Sequence, residues 1–325
     1  MYKHRLRTLS YGHLGTINRR AALFFLLYLG AILYLSLYPW RFQRMPLHST
    51  LAWVPLYSRR TLLDAGLNVV FYVPLGAAAF LSVLPARRRL PAAVAAFAAG
   101  TLASYAVERA QLAIPGRFGN LTDLACNSLG TLAGVILAFG ITKEGLRAKL
   151  SGYRSPKLLL VGLWLVWQAF LFLPRYGPAT DLTHEFAGLL FLALLAASRR
   201  IGHAGFMLSA PLAILALAAD ELRPFRFEGP PQPFWWVPFE SWFVGAPDSY
   251  YGSIFGKLFF DAAILWMERR AGIRWRWGLV APGAVLLLGE LAQTHLPGRT
   301  PEITDLALLA AAAVMLSLAE RPALG

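Results

Sequence analysis

Apolar and polar positions alternate along this chain in long blocks, and the blocks set its architecture. Ten apolar runs occupy 21–38, 62–84, 90–114, 123–141, 157–173, 181–197, 205–219, 253–267, 278–294 and 305–319. A membrane-crossing helix needs about 20 mostly apolar residues, and the first six runs meet that length most comfortably. The pattern predicts an all-α, polytopic transmembrane bundle of about ten helices. The first run follows a basic arm and has the look of a signal peptide. It is long enough to span, however, and its closing YPWRF recurs mid-chain as RPFRF at 223–227, so it reads as a retained helix.

The polar stretches between the runs repeat. From Glu108 the sequence reads ERAQLAIPGRFGNLTD, and from Glu290 it reads ELAQTHLPGRTPEITD. The two align without a gap at an offset of 182 residues, pairing Glu108 with Glu290, Gln111 with Gln293, Arg117 with Arg299 and Asp123 with Asp305. Glu and Gln three residues apart share a helix face, Pro-Gly stops the helix, and Asp or Thr suits the start of the next one. Upstream, Trp53-Val54-Pro55-Leu56 resembles Trp236-Val237-Pro238-Phe239. The expected organisation is a cytoplasmic basic arm (1–20), a first four-helix repeat (21–141), two linking helices (142–204), a degenerate second repeat (205–319) and a tail (320–325). The even number of linking spans makes the repeats parallel.

Composition agrees with the pattern: 57% of residues are hydrophobic and 15% charged, against about 25% charged in soluble domains. The net charge of +14 suggests nucleic acid in a soluble protein, but here most basic residues lie in short connections. With the N-terminus inside, the inner connections hold 20 Lys and Arg and the outer ones 9, which predicts cytoplasmic termini and outward-facing hairpins. The lone Cys126 can form no intrachain disulfide and reads as packing. The sequon Asn120-Leu121-Thr122 matters only in a glycosylating host.

The candidate chemistry gathers at the predicted outer ends of the helices. Asp64 and Asn68 lie four residues apart ahead of Pro74-Leu75-Gly76, where the missing proline N–H frees a carbonyl that membrane helices must re-satisfy. Asp123, Asn127, Gly130 and Gly134 share a face of the fourth helix, where a polar turn gives way to a close-packing GxxxG surface. Asp64, Asn68, Glu108, Gln111, Asp123 and Asn127 are thus expected to converge on one outward pocket. Glu108 leads the candidates for chemistry, because an acid inside the membrane is a functional-site candidate by default. Asp123 and Asp64 are the other catalytic candidates, while capping and helix-gluing remain the plainer roles for the aspartates and asparagines. In the second repeat Lys257 replaces Asn68, and it is expected to pair with Asp261 one turn on and to compensate Glu290. Asn68, Gln111, Asn127, Arg117, Glu290, Gln293, Asp305 and Lys257 form the expected binding set.

Asp181, His184 and Glu185 stand at the outer end of a linking helix, where the run 181–197 begins, and Asp220 and Glu221 open the long outer loop. Acids with one histidine can bind a divalent ion, but no fixed-spacing metal motif is present, so no cofactor and no metal are assigned. The loop segment FWWVPFESWF (234–243) reads as an aromatic belt at the headgroups or, more sharply, as a platform for a sugar or isoprenoid.

The combination of Asp64, Asn68, Pro74-Leu75-Gly76, Glu108, Gln111, Asp123, Asn127 and Gly130 resembles the VanZ-like family, small membrane proteins named after a glycopeptide (teicoplanin) resistance protein. The resemblance covers the first repeat well and the second partly, through Glu290, Gln293 and Asp305. It implies a role in the bacterial cell envelope and supplies no reaction. The leading expectation is an inner-membrane protein whose acidic pocket binds a cell-wall or exopolysaccharide component, or its lipid carrier. The alternatives are an intramembrane transferase or hydrolase with Glu108 as general base, and a proton-coupled transporter. Membrane lipids are the expected partners, and nucleic acid is not.

Overall fold

The computed structural model describes residues 18–44, 50–84, 89–142, 156–171, 182–228, 230–244 and 250–320. Most of the basic arm, Arg87, Arg88, the greater part of the 143–157 connection, Asp181 and Arg321 lie outside them. The chain divides into two compact units, Met1–Leu150 and Ser151–Gly325. The described residues are helical, without strands. Two isolated parallel bridges, Ala52 with Asn120 and Trp235 with Glu302, are their only β-type pairings.

The first unit holds α1 (Arg19–Leu37), α2 (Arg59–Val83), α3 (Arg89–Gln111) and α4 (Leu121–Ile141). Side chains cap three starts: Asn18 on α1, Ser58 in a capping box with Thr61 on α2, and Asn120 on α4. The α2–α4 contact is built on absent side chains. A Cβ at Gly130 or Gly134 would run into the α2 carbonyls of Val69 and Val73, and one at Gly76 would meet the Thr131 carbonyl. Small residues that let helix backbones touch are the usual membrane solution, where apolar burial between helices gains little over lipid. Near Pro74 the Tyr28 hydroxyl donates to the Phe71 carbonyl at 2.9 Å, so α1 adds a donor within the turn that precedes the proline.

The second unit holds α5 (Pro156–Leu171), α6 (Leu182–Glu221), the short α7 (Glu240–Val244), α8 (Tyr250–Arg270), the single-turn α9 (Trp275–Gly278), α10 (Val280–Gln293) and α11 (Thr304–Glu320). Its core is aromatic. Trp266 takes Phe191 and Phe206 edge-on at 5.9 and 5.3 Å, and Trp167 stacks on Phe259 at 5.9 Å. The expected connection between runs 181–197 and 205–219 is helical instead. Ser198, Arg199 and Arg200 are ordinary helix residues, and only Gly202 leaves the helical region, at φ 66°, a conformation glycine adopts without steric cost.

Among the described residues four helices, Thr61–Val83, Arg89–Gln111, Leu121–Ile141 and Leu182–Glu221, are long and apolar enough to cross a membrane, and Ala21–Leu37 and Pro156–Ala169 are shorter apolar helices. They leave large apolar side chains such as Leu26, Leu102, Ile136, Leu190 and Leu212 uncovered by protein. On helices of this length and hydropathy, such faces are the ones lipid covers.

Candidate functional site

In the first unit one hairpin ties two acids together. Glu108 lies near the end of α3, 3% exposed, and its Oε2 accepts the backbone N–H of Asn120 at 2.9 Å. The loop reaches that close because residue 119 is glycine: a Cβ there would strike the Glu108 carbonyl. Asn120 then caps α4, its Oδ1 accepting the Asp123 N–H and its Nδ2 donating to Asp123 Oδ2, both at 2.8 Å. The other Asp123 oxygen accepts Asn68 Nδ2 at 2.8 Å. The chain Glu108–Asn120–Asp123–Asn68 therefore draws α2, α3 and α4 together. Neutral amide donors hold these carboxylates, and such donors orient an acid without cancelling its charge.

One turn further in, Asn127 Nδ2 donates to Ser104 Oγ at 3.0 Å. Its side-chain amide oxygen, Oδ1, is buried with no partner, which is uncommon for a buried polar atom. Asp64 stands exposed one turn before Asn68 and within electrostatic reach of Asp123. The segment before α2 lies over the start of α4, with the Thr122 hydroxyl accepting from Val54 N–H and donating to the Val54 carbonyl, and the Ala52 carbonyl accepting from Leu121 N–H at 2.9 Å.

Gln111 and Arg117 turn elsewhere. Gln111 Nε2 donates to the Ser36 carbonyl at 3.1 Å, and Arg117 donates to the carbonyls of Tyr38 and Leu35 at 3.1 and 3.2 Å. The last carbonyls of a helix have no partner within it, and cationic donors suit that end. The structure engages both residues in closing α1.

The second unit shows the corresponding contacts with different chemistry. Glu290 Oε2 accepts the Glu302 N–H at 2.7 Å. Gln293 Nε2 donates to Glu221, to its carbonyl at 3.2 Å and its carboxylate at 2.6 Å. Arg299 donates to the Arg223 carbonyl at 2.9 Å and to the Asp220 carbonyl, closing the end of α6 as Arg117 closes α1. Lys257 Nζ lies 2.6 Å from both oxygens of Asp305. The expected Lys257–Asp261 pair along one helix does not form, because α11 brings the better-placed Asp305 directly opposite the ammonium. A cavity of about 320 Å³ is bounded by Lys257, Glu290, Gln293, Arg299, Glu302 and Asp305.

Glu221, Glu290 and Asp305 bring one carboxylate oxygen each within 4.8 Å of one another. Three hard oxygen donors suit a divalent ion, but the Lys257 ammonium already stands on Asp305 and would repel one. The cluster fits an internal ion-pair network better than a metal centre. At the same end His184 contacts Asp220 at 3.1 Å and Gln168 donates to Glu185 at 2.9 Å.

The residues not singled out beforehand are Asn120, Ser104, Glu302 and the Gln293–Glu221 pairing. Asn120 had a readable signal, since it stands three residues before an acid at a helix start. Ser104 had only its position one turn before Glu108.

No curated protein and no solved structure matches the chain. Residues 25–142 match the VanZ/LLP1 family model. That stretch runs from α1 to the end of α4 and contains Glu108, Asn120, Asp123 and Asn68, and over it the chain is similar to the VanZ-like family.

Proposed function

We propose that this chain is a bacterial inner-membrane envelope protein whose first unit presents the Glu108–Asp123 pair outward to bind a cell-wall or exopolysaccharide component, or the lipid that carries it, and so alters how the surface meets glycopeptides. The observation that carries this reading is the pairing itself. Two acids from different helices are tied through Asn120 at one end of an otherwise apolar bundle, and each is held by amide N–H groups rather than by a cation. Carboxyl groups not tied up by a cation keep oxygens that can accept from hydroxyl or ammonium donors of a ligand, as sugars and amino-sugars provide. Both termini are cytoplasmic in this reading, in line with the 20 to 9 division of basic residues.

The reading also takes the four-helix pattern as occurring twice, the second time in altered form. The Glu290–Glu302 and Arg299–Arg223 contacts support it, and Lys257 in the place of Asn68 makes the second copy a charge-paired companion. The test is a strain whose only copy carries Glu108→Ala with Asp123→Ala at wild-type membrane abundance. Teicoplanin tolerance and surface polysaccharide are expected to fall to the level of the deletion strain, and wild-type values in both assays would overturn the proposal.

A further inference from the structure

The second unit carries a concentration of arginine and tryptophan that the proposed site does not use. It forms where four elements turn at the same end. Lys157, at the start of α5, donates to the Leu195 carbonyl at 3.1 Å and the Ser198 hydroxyl at 2.6 Å, next to Arg199 and Arg200 on α6. Just beyond the Gly202 break, His203 Nε2 would lie 3.0 Å from a Cβ at Gly272, and Arg270 of α8 sits 5.5 Å over the Phe206 ring. The chain then runs into Arg274-Trp275-Arg276-Trp277, with Arg269 stacked on Trp275 at 5.3 Å and Arg276 on Trp277 at 5.5 Å.

The acids belonging to this end do not balance it. Glu268 is buried, and Glu320 pairs with Arg269 at 3.4 Å. Arg199, Arg200, Arg270, Arg274 and Arg276 remain exposed. Beside them lie uncovered apolar side chains: Met207 and Leu208 one turn past the α6 break, and Trp277 and Val280 where α9 meets α10. Guanidinium groups above a band of exposed apolar side chains, with an indole 59% exposed at the boundary, match the division of a phospholipid into phosphate and acyl chain. Arginine holds phosphate oxygens in a fixed fork, and tryptophan favours the headgroup level. The basic residues of a connection are sufficient to set topology, but topology alone does not require them to alternate with tryptophan.

We infer that the arginine and tryptophan cluster formed by α9 and the broken α6 binds the headgroup of an anionic phospholipid. The inference rests on the membrane location of the chain and not on the ligand proposed for Glu108 and Asp123.

The test uses the full-length protein in a zwitterionic detergent, with retained lipid counted by native mass spectrometry during titration with phosphatidylglycerol, phosphatidylcholine or inorganic phosphate. Each arginine near an anionic headgroup contributes enough that losing two weakens binding about 30-fold. Arg274→Gln with Arg276→Gln, and separately Arg199→Gln with Arg200→Gln, are expected to show that loss for phosphatidylglycerol while unfolding at the wild-type temperature without lipid. If one pair fails to fold, the other decides. Unchanged phosphatidylglycerol binding, equal retention of phosphatidylcholine, or full displacement by millimolar inorganic phosphate would each overturn the inference.

Discussion

Lys257 sits 2.6 Å from both carboxylate oxygens of Asp305, and the two residues share their charge unequally with solvent: the lysine side chain is 46% exposed and the aspartate 3%. Removing the lysine leaves Asp305 beside Glu221 and Glu290 with no cation on it, whereas removing both also takes one acid out of that cluster. Orphaning a fully buried charge costs ~3–5 kcal/mol, and the exposure of Lys257 lowers that to about 1–3 kcal/mol. Lys257→Met should therefore lower the unfolding temperature in detergent more than Lys257→Met combined with Asp305→Leu. A double variant less stable than the single one would show that the pair is not the source of the effect.

Gly130 and Gly134 let α4 rest on the backbone of α2 at Val69 and Val73. Alanine at either position must push the helices apart, at a cost of about 1–3 kcal/mol. Gly30 and Gly140, where an added Cβ meets nothing within 4 Å, provide the internal control. Thermal unfolding should separate Gly130→Ala and Gly134→Ala from Gly30→Ala and Gly140→Ala, which should match or slightly exceed the wild type.

Arg117 bridges the carbonyls of Leu35 and Tyr38 with two different nitrogens. A lysine ammonium at the end of a flexible chain cannot reproduce that fork. Arg117→Lys is expected to destabilise the protein by about 1 kcal/mol, with any functional loss following the loss of folded protein. A variant of wild-type stability that has lost glycopeptide tolerance would instead place Arg117 against the ligand.

Substitution can separate the structural job of Glu108 from the one proposed for it. Its Oε2 accepts the Asn120 N–H, and a glutamine oxygen can do the same, so Glu108→Gln should fold with near-wild-type stability. Glu108→Ala leaves that buried N–H unmatched and should cost about 1–3 kcal/mol. Full activity in Glu108→Gln would eliminate general-base and proton-carrier roles while leaving a binding role standing.

Much of the fold is legible in the sequence because membrane helices declare themselves by length and apolarity. Both Pro-Gly hairpins, and Glu108 and Asp123 near their helix ends, follow from spacing alone. The remainder depends on contacts that spacing does not encode. Gln111 and Arg117 look like members of a polar site until α1 is seen to end beside them with open carbonyls. The 198–204 stretch looks like a loop because it is basic, yet arginine is a good helix former and only Gly202 interrupts the helix. Lys257 has Asp261 on its own face and Asp305 across the bundle, and only the packing of α8 against α11 selects between them.

Residue 119 gives the first unit a particular vulnerability. The hydrogen bond that joins Glu108 to the α4 cap crosses a gap that the smallest possible side-chain atom would close. A single methyl there, neutral in charge, would strike the Glu108 backbone carbonyl and uncouple the two acids while leaving both carboxyl groups chemically intact. Gly119→Ala, with every acid and amide in place, would disarm the pair by bulk alone.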